Sequence, residues 1–377
     1  MTKTKLSILL ITLFTLVLTN CTKNEEETTT QEVFNFGNAS KGAFVGIVVD
    51  ESNNPVASVS IEMGGMTTTT NSQGEFSLSN VPVSERFAYV KATKNGFVNG
   101  SRVVYPHAGI NNMKIMLMTK TLTATIASGT TAVVSLPNGT SVKFDGAFVN
   151  ADGTAYTGAV KVYTNLLAAD DENISVKMPG NLIGQRTDGS ISGMLSYGMI
   201  NVELFSSTNT KLQIADNHKA TISMVIPNDK LNAAEATIPM WYFNETTGLW
   251  VEEGFSTKIG NKYVGDVSHF TLWNNDWVYP VAILNVRALN FDGTPVNGVK
   301  IYVSSDVIIE KHSAQLLNVY FGATNVNGTL TEGIPTNQVL TIKAYTPDGQ
   351  LIKTEVLPAS AEMSRSVIFY IPAPNKN

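Results

Sequence analysis

The sequence predicts an all-β protein built from tandem antiparallel β-sandwiches, and three observations carry that prediction. First, apolar and polar residues alternate over short runs, which is the period-two pattern of half-buried strands; such runs lie at 76–78, 160–162, 200–204 and 299–303. Second, Asn-Gly and Asp-Gly pairs, which favour hairpin turns, recur along the chain; they begin at residues 95, 138, 145, 152, 188, 292, 297, 327 and 348. Third, helical periodicity is scarce, with weak candidates at 228–236 and 306–317.

The first twenty residues have the layout of a secretory signal peptide. Two lysines precede an apolar stretch over residues 6–18, which is too short for a permanent membrane span. The stretch ends in LTNC, residues 18–21, which resembles the lipobox of bacterial lipoproteins, although Asn20 departs from the usual small residue. The resemblance implies cleavage before Cys21 and attachment of lipid and palmitate-like acyl chains to that residue. The alternative is an ordinary signal peptide with a chance cysteine.

The residues after the cysteine read as a flexible tether that ends near residue 40. Residues 22–34 are polar and charged, with few apolar side chains to bury. Lys23, Glu25, Glu26 and Glu27 resemble the acidic export signal of surface lipoproteins in Bacteroidota, and a solvated spacer is the alternative. We therefore predict a lipid-anchored protein of the outer membrane that faces the cell surface, with the periplasmic leaflet as the alternative.

Charge and missing motifs exclude several classes of function. The net charge of −5 without basic clusters argues against nucleic acid as a partner. None of the four histidines, at 107, 218, 269 and 312, has a glutamate three residues later, as a metallocarboxypeptidase zinc site needs. The chain also lacks HExxH, GxSxG and P-loop motifs. We predict a protein that is not an enzyme and uses no metal or cofactor.

Two distant segments repeat each other, which bears on the number of domains. Residues 46–65, GIVVDESNNPVASVSIEMGG, match residues 285–305, NVRALNFDGTPVNGVKIYVSS, around a shared Pro-Val pair. Both segments resemble the carboxypeptidase regulatory-like domain, a small transthyretin-like β-sandwich. The resemblance implies such domains at 41–119 and, more divergent, at 280–377. It also implies structural roles, with Gly74 of NSQGEF making a hairpin and the Pro-Val pair beginning a strand.

The region between the repeats, residues 120–279, has a different pattern. Its elements MPGNL, SYGMINVELF, IPMWYFNETTGLWVEEG and NKYVGDVSHFTLWN resemble a bacterial relative of the cartilage intermediate layer protein. That region in turn is similar to the β-sandwich shared by ankyrins and netrin receptors. The resemblance implies a sandwich used in matrix or scaffold assembly. The predicted order is thus signal peptide (1–20), lipidated cysteine and linker (21–40) and three sandwiches.

All four tryptophans stand in the last part of the middle region, at Trp241, Trp250, Trp273 and Trp277. One interpretation is an aromatic platform that stacks on sugar rings. The other is a sandwich core, because large aromatic side chains are mostly buried. Period two places Trp241 and Phe243 on one face, which favours the core. The acidic cluster at 170–172 is similarly a cation site or, as we favour, a solvated loop.

The stretch VSHFTLWN, residues 267–274, raises a further possibility. Some sandwiches that resemble this one, in death-domain signalling proteins, cut themselves within a His-Phe-Ser motif, and the matching residues here are His269, Phe270 and Thr271. His269 would take the hydroxyl proton and Thr271 would attack the Phe270 carbonyl. Strict alternation on an ordinary strand, with Phe270 buried, explains the same residues without chemistry.

These observations favour a non-catalytic, lipid-anchored envelope protein for display, adhesion or assembly. Its partners would be the membrane, through the anchor, and other envelope proteins or glycans. A carbohydrate-binding lipoprotein of a glycan-uptake system is the first alternative. A chain that cleaves itself between Phe270 and Thr271 is the second.

Overall fold

The computed structural model describes residues 36–104, 106, 109–309, 312–324, 327–362 and 364–372, which belong to one compact unit. The signal peptide, Cys21 and the tether residues 22–34 lie outside this part of the chain. The described residues form twenty-six strands and one short helix, so the predicted all-β class is confirmed. Within them, no helix has the length and apolar content needed to cross a bilayer.

The first sandwich packs a three-stranded sheet against a four-stranded one. Its strands are β1 (Ala39–Asp50), β2 (Ser60–Met63), β3 (Met66–Thr69), β4 (Glu75–Ser84), β5 (Ala88–Thr93), β6 (Gly100–Val104) and β7 (Ile110–Leu117). The sheet orders are β4-β1-β7 and β3-β2-β5-β6. Alternate residues of the strands meet in a core that includes Phe44, Val48, Ile61 and Val90, all fully buried.

The middle sandwich is larger and contains the helix. Its elements are β8 (Leu122–Ala127), β9 (Ala132–Ser135), β10 (Ser141–Phe144), β11 (Phe148–Val149), β12 (Ala159–Leu167), α1 (Ile174–Lys177), β13 (Ile183–Gln185), β14 (Ile191–Ser206), β15 (Lys211–Ile214), β16 (Ala220–Val225), β17 (Thr237–Asn244), β18 (Leu249–Ile259), β19 (Lys262–Val267) and the start of β20 (Leu272–Asn290). Strands β14 and β20 pair at its centre, and three apolar clusters lie about them.

The third sandwich has the same strand order as the first. It uses the end of β20 together with β21 (Lys300–Ile309), β22 (His312–Ala323), β23 (Thr329–Pro335), β24 (Leu340–Tyr345), β25 (Leu351–Leu357) and β26 (Ser364–Ile371). Its sheets run β23-β20-β26 and β22-β21-β24-β25. Each strand therefore has a counterpart in the first sandwich, in the same position, which confirms the internal repeat.

The repeat extends to individual hydrogen bonds. The Thr70 hydroxyl donates to the Val56 carbonyl at 2.7 Å and accepts from the Val59 amide at 2.9 Å; Thr324 does the same with Val296 and Val299, at 2.7 and 3.1 Å. The Pro-Val pairs, however, do not begin strands. Pro55 and Pro295 each form an isolated bridge to the preceding strand, because proline has no amide hydrogen for a ladder.

The predicted turns have the backbone that their glycines require. In every Asn-Gly and Asp-Gly pair named above, the glycine has positive φ. Gly74 shows why a side chain is excluded, since a Cβ there would lie 2.4 Å from the Val48 carbonyl oxygen. Gly328, its counterpart in the third sandwich, would meet the Ala288 carbonyl oxygen at the same distance.

Several expectations about the strands and helices are wrong. The sheets are mixed, since β7 pairs in parallel with β1 and β26 with β20. Strand β14 is buried on both faces rather than half-buried, because one apolar cluster packs against Ile200 and Val202 and another packs against Met199 on the opposite face. Residues 228–233 form turns. Residues 306–309 and 312–317 belong to the antiparallel strands β21 and β22, which pair with each other, and not to a helix.

Candidate functional site

The stretch that holds His269, Phe270 and Thr271 is not part of a strand. It bridges β19 and β20 as a bend over residues 268–271, so the ordinary-strand explanation for these three residues is wrong. Phe270 is nevertheless buried, with 3% of its surface exposed, and its ring packs against Phe144 at 5.7 Å between centroids. The bend exists because the chain must cross from β19, which lies between β18 and β16, to β20, which lies between β14 and β17.

Side chains from other strands hold this bend in place. The Gln213 side chain, on β15, accepts a hydrogen bond from the Phe270 amide at 3.0 Å and donates one to the Phe270 carbonyl at 3.1 Å. The indole of Trp273 donates to the His269 carbonyl at 3.0 Å. The His269 carbonyl and both the amide and the carbonyl of Phe270 are thus satisfied by protein side chains, as buried backbone groups must be.

The histidine and the threonine of the bend face different partners. His269 Nε2 lies 3.2 Å from Glu253 Oε2, and its ring meets the Tyr242 ring edge-on at 4.9 Å. The Thr271 hydroxyl donates to the Leu272 carbonyl at 3.1 Å. Neither His269, Phe270 nor Thr271 has a positive φ. The pair of base and hydroxyl that self-cleavage needs is not assembled, although Gln213 Nε2 sits where it could stabilise negative charge on the Phe270 oxygen.

Three of the four tryptophans lie in the core. Trp241 and Trp250 have no exposed surface and Trp273 has 1%. A ring buried to this degree has no face on which a sugar could stack, so the platform interpretation does not fit these three. Trp277 is half-buried beside Tyr197 and Tyr263. The predicted split of β17 holds, since Trp241 and Phe243 share one cluster while Tyr242 packs in another.

Polar groups that resemble ligand sets are paired within the protein. Asp171 accepts hydrogen bonds from Lys177 Nζ at 2.7 Å and from the Asn173 amide at 2.8 Å, which makes residues 170–172 a loop that leads into helix α1. His218 Nδ1 lies 2.6 Å from Asp145. Across the part of the chain that the structure describes, no three or more His, Cys, Asp or Glu side chains are grouped to hold a metal ion. His107 and the side chain of His312 lie outside that part.

Sequence reasoning missed a set of buried charged groups in the middle sandwich. Glu252, 5% exposed, accepts from Arg186 Nε at 2.6 Å and from the Thr187 amide at 3.2 Å. Asp276 is fully buried in β20 and accepts from Asn274 Nδ2 at 2.6 Å. Burial raises the pKa of Asp276 well above its usual range. The polar run 274–276 between two tryptophans was the signal for this cluster.

A groove between the first and middle sandwiches was also missed. Its volume is about 480 Å³, and it is lined by residues of both sandwiches that include Glu62, Pro82, Phe87, Tyr89, Lys91 and Thr246. Lys91 and Glu62 form an ion pair of 3.0 Å at its wall. No local pattern announces it, because its walls come from segments about 160 residues apart in sequence that only the folded chain brings together.

Tyr89 is the centre of the contact that forms this groove. Its ring lies flat against Gly248, where a Cβ would come within 2.5 Å of a ring carbon. The same ring meets Phe243 edge-on, at 6.1 Å. Burial raises the pKa of the Tyr89 hydroxyl. Val98 and Met118 continue the contact as members of the apolar cluster around Trp241 and Trp250.

Comparisons with known proteins give one curated relative and a set of distant solved structures. No protein family in the scan matches the chain. Human cartilage intermediate layer protein 2 is 23% identical over 200 residues, which span 50% of this chain and 17% of the relative. The match is to a protein of the type that the middle region resembles in sequence. The chain therefore corresponds to less than a fifth of the length of that relative.

Two of the solved structures that the chain is similar to are major pilins. BcpA, the major pilin subunit of Bacillus cereus, is 10% identical with a TM-score of 0.18, covering 88% of this chain and 99% of the pilin. The full-length major pilin SpaD from Corynebacterium diphtheriae is 10% identical with a TM-score of 0.21, covering 89% and 98%. At TM-scores this low, these likenesses carry no argument about the function of the chain.

Proposed function

We propose that this protein is a non-catalytic, lipid-anchored component of the cell envelope that displays binding surfaces for adhesion or assembly at the outer membrane. The observation that carries the proposal is the way the three sandwiches are joined. The described chain passes from each sandwich to the next without a flexible linker. Proteins whose sandwiches must move against each other are joined by exposed Gly-, Pro- or Ser-rich segments instead.

Strand β20 forms the second junction by itself. Its first part pairs with β14 and β17 in the middle sandwich, and its last part pairs with β23 and β26 in the third. The two sets of partners meet near residue 281, with no break in the strand. A hinge there would break ladder hydrogen bonds, so the two sandwiches are held in a fixed orientation.

The first junction is a packed apolar contact. Tyr89 seats on Gly248, and Met118 reaches into the cluster of Trp241 and Trp250. Apolar burial of this kind stabilises by about 25 cal/mol per Å² removed from water, which favours a permanent contact. A fixed series of sandwiches joined by a tether to a lipid anchor suits a rigid arm that presents its distal end away from the membrane.

The anchor itself is proposed from the sequence. Cys21 would carry the lipid, and Lys23, Glu25, Glu26 and Glu27 would direct the protein to the cell surface. Two or more acyl chains give the stable attachment that one chain does not. Retention in the periplasmic leaflet is the alternative if those acidic residues are a spacer.

Complementation tests this proposal. Cells that lack the protein would be supplied with the wild type or with Cys21→Ala, and compared for surface attachment and for envelope proteins recovered after crosslinking. We expect the wild type to restore both and Cys21→Ala to restore neither, because the unanchored chain is lost from the envelope. Full rescue by Cys21→Ala would contradict an anchored display role.

Carbohydrate binding remains the second candidate, and the groove beside Tyr89 is the observation that favours it. Phe87 and Tyr89 offer aromatic surface there, while Lys91 and Thr246 offer polar groups, a combination that suits a hydroxylated ring. Oligosaccharides would be titrated into the wild type and Thr246→Trp, which narrows the groove. Binding that the substitution weakens supports a glycan site; no binding to the wild type contradicts it. Trp277→Phe is the control for binding at the tryptophan segment, and it should leave binding in the groove unchanged.

Self-cleavage between Phe270 and Thr271 is the third candidate, and the contacts of the bend do not favour it. His269 is engaged with Glu253 and the Thr271 hydroxyl with Leu272. The chain would have to rearrange before either group could act on the other.

A further inference from the structure

The last strand of the third sandwich has an open edge. Strand β26 pairs with β20 and with no other strand of the described chain. Arg365, Val367, Phe369 and Ile371 point inward and are buried. The alternate residues point outward, and two of them are large and apolar, with Ile368 41% exposed and Tyr370 49% exposed.

An aromatic residue from a neighbouring turn extends this apolar surface. Phe291 is 75% exposed, more than the other large apolar side chains of the described residues. Its ring lies nearly parallel to that of Tyr370, at 15° and 6.1 Å between centroids. We call Phe291, Ile368 and Tyr370 the edge patch. Such an exposed apolar strip along an unpaired strand favours association with another strand.

The first sandwich supplies an internal comparison. Register places Lys114 of β7 where the third sandwich has Ile368, and Met116 where it has Tyr370. Lys114 is exposed and charged, and Met116 is buried, with 1% of its surface exposed. Glu51 stands where the third sandwich has Phe291, and it accepts a hydrogen bond from the Thr119 amide.

The two edges therefore differ in the devices that prevent strand pairing. Lysine on an edge strand and coverage by another element are the usual protections. Strand β7 has both, since Lys114 lies on it and helix α1 packs against it. Strand β26 has neither among the described residues: its charged residue, Arg365, points inward, is buried, and donates hydrogen bonds to the Gln338 and Pro358 carbonyls, so it places no charge on the outer face of the edge. Strand β25, which lies at one edge of the other sheet of the third sandwich, carries the charged residues Lys353 and Glu355.

We infer that β26 pairs antiparallel with β26 of a second copy of this chain, which joins two third sandwiches through one continuous sheet. The outward residues Ser364, Ser366, Ile368 and Tyr370 carry no charge, so a two-fold arrangement brings together apolar side chains without repulsion. The same arrangement of two β7 strands would bring lysines together. A second copy of the chain can therefore occupy the edge patch without bringing like charges together.

If the protein has the assembly role proposed above, a second copy of the chain is one of its partners. The biological purpose of the pairing rests on that proposed role, whereas its geometry rests on the edge of β26. Two anchored chains would be joined at the ends far from their lipid in sequence. The pairing also supplies partners for the amide and carbonyl groups along the side of β26 that has no neighbouring strand among the described residues.

Sedimentation of the chain from residue 22 onward, which keeps the whole described region and omits the lipid, tests the inference. We expect the wild type to dimerise with rising concentration. Ile368→Lys, which installs the charge that β7 carries, should weaken dimerisation about tenfold or more. Val356→Lys is the matched control, because Val356 is also exposed, at 58%, but lies on the charged edge β25; it should dimerise like the wild type.

A mixture guards against a variant that merely misfolds. Ile368→Lys and Ile368→Glu, each weakened alone, should form a mixed dimer when combined, because opposite charges then meet across the pair. Hydrogen exchange should slow at β26 amides in the wild-type dimer. A wild type that stays monomeric, or a dimer that Ile368→Lys leaves unchanged, overturns the inference. Either result leaves the anchored display role standing, since that role is judged by complementation with Cys21→Ala.

Discussion

The side-chain amide of Gln213 forms two hydrogen bonds with the backbone of Phe270: it accepts from the amide nitrogen at 3.0 Å and donates to the carbonyl oxygen at 3.1 Å. These two bonds join β15 to the bend before β20. They take the place of the ladder that an ordinary strand would supply, because residues 268–271 pair with no neighbouring strand. The backbone of Phe270 is therefore held by a side chain that lies 57 residues away in sequence.

Removal of this side chain should destabilise the middle sandwich. Gln213→Ala leaves the amide and carbonyl of a buried residue without partners, and each unsatisfied group costs about 1–3 kcal/mol. We expect the midpoint of urea unfolding to fall accordingly. Gln350→Ala is the control, because that glutamine is exposed, and it should change the midpoint little. Equal midpoints for Gln213→Ala and the wild type would mean that the bend is held by other contacts.

Intact mass should show one uncleaved chain after the signal peptide is removed. The His269 ring and the Thr271 hydroxyl are engaged with Glu253 and Leu272, so proton transfer between them is not prepared. Purified wild type and Thr271→Ala should therefore give the same pattern by mass spectrometry. Two fragments that meet at Phe270 and Thr271 in the wild type, and disappear in Thr271→Ala, would establish self-cleavage instead.

Lipidation should depend on Cys21. The cysteine follows an apolar stretch in the position of a lipobox, and its thiol is the group to which lipid would be attached. Cells fed a labelled fatty acid should label the wild type and not Cys21→Ala, which should also leave the membrane fraction. A labelled Cys21→Ala protein would refute the anchor.

Proteinase added to intact cells tests the export signal. The wild type should be digested, and a variant with Ala at Glu25, Glu26 and Glu27 should be protected.

The features that sequence predicted correctly are local or repeated. An Asp-Gly pair needs positive φ wherever it stands, so the turn at Gly293 could be read from two letters. The Pro-Val pairs identified the repeat, because segments with similar sequences adopt similar folds. The middle sandwich even contains the same turn, where Asn150 binds Thr154 as Asn290 binds Thr294. That third occurrence escaped notice because Ala155 replaces the proline.

The features that sequence could not predict depend on contacts between distant segments. The alternation in β14 looked like a half-buried strand, yet Asn201 and Glu203 are buried, because the face of the strand that carries Met199 is covered by an apolar cluster as well. Glu203 is tolerated there by its ion pair with Lys120, at 2.6 Å. The hydrogen bonds between Gln213 and Phe270 could not be predicted from a local sequence pattern either, because the two residues lie 57 positions apart. Sequence alone favoured a core position for the tryptophans over an exposed sugar-binding platform only because large aromatic side chains are mostly buried.

Arg186 and Glu252 should respond unequally to substitution. Their ion pair spans 2.6 Å, but the Arg186 side chain is 30% exposed and that of Glu252 is 2% exposed. Arg186→Ala leaves a buried carboxylate without its cation, a change that costs about 3–5 kcal/mol. Glu252→Gln leaves an arginine that water can reach, so we expect a smaller loss. Thermal unfolding of the two variants measures the difference, and equal losses would show that burial of Glu252 does not govern the pair.

The stability of the middle sandwich should fall as pH rises, through Asp276. This carboxyl is fully buried, and burial raises its pKa well above the usual value of 3.8. The charge of Lys230, Ser196 and the Tyr197 amide offset the burial in part. A group whose pKa is higher in the folded than in the unfolded chain stabilises the fold at low pH, and that stabilisation is lost as pH rises through the folded pKa.

Asp276→Asn removes this titration and keeps a side chain of the same shape. The variant should therefore gain stability over the wild type as pH rises from about 4 to neutral, by up to about 1.4 kcal/mol for each pH unit in which only the folded carboxyl is protonated. Asp292→Asn is the control with the opposite sign, because hydrogen bonds from Thr294 lower the pKa of that exposed carboxyl; its loss relative to wild type should shrink as pH falls. Urea unfolding at several pH values measures both. A difference between Asp276→Asn and wild type that does not change with pH would show that Asp276 does not titrate in this range.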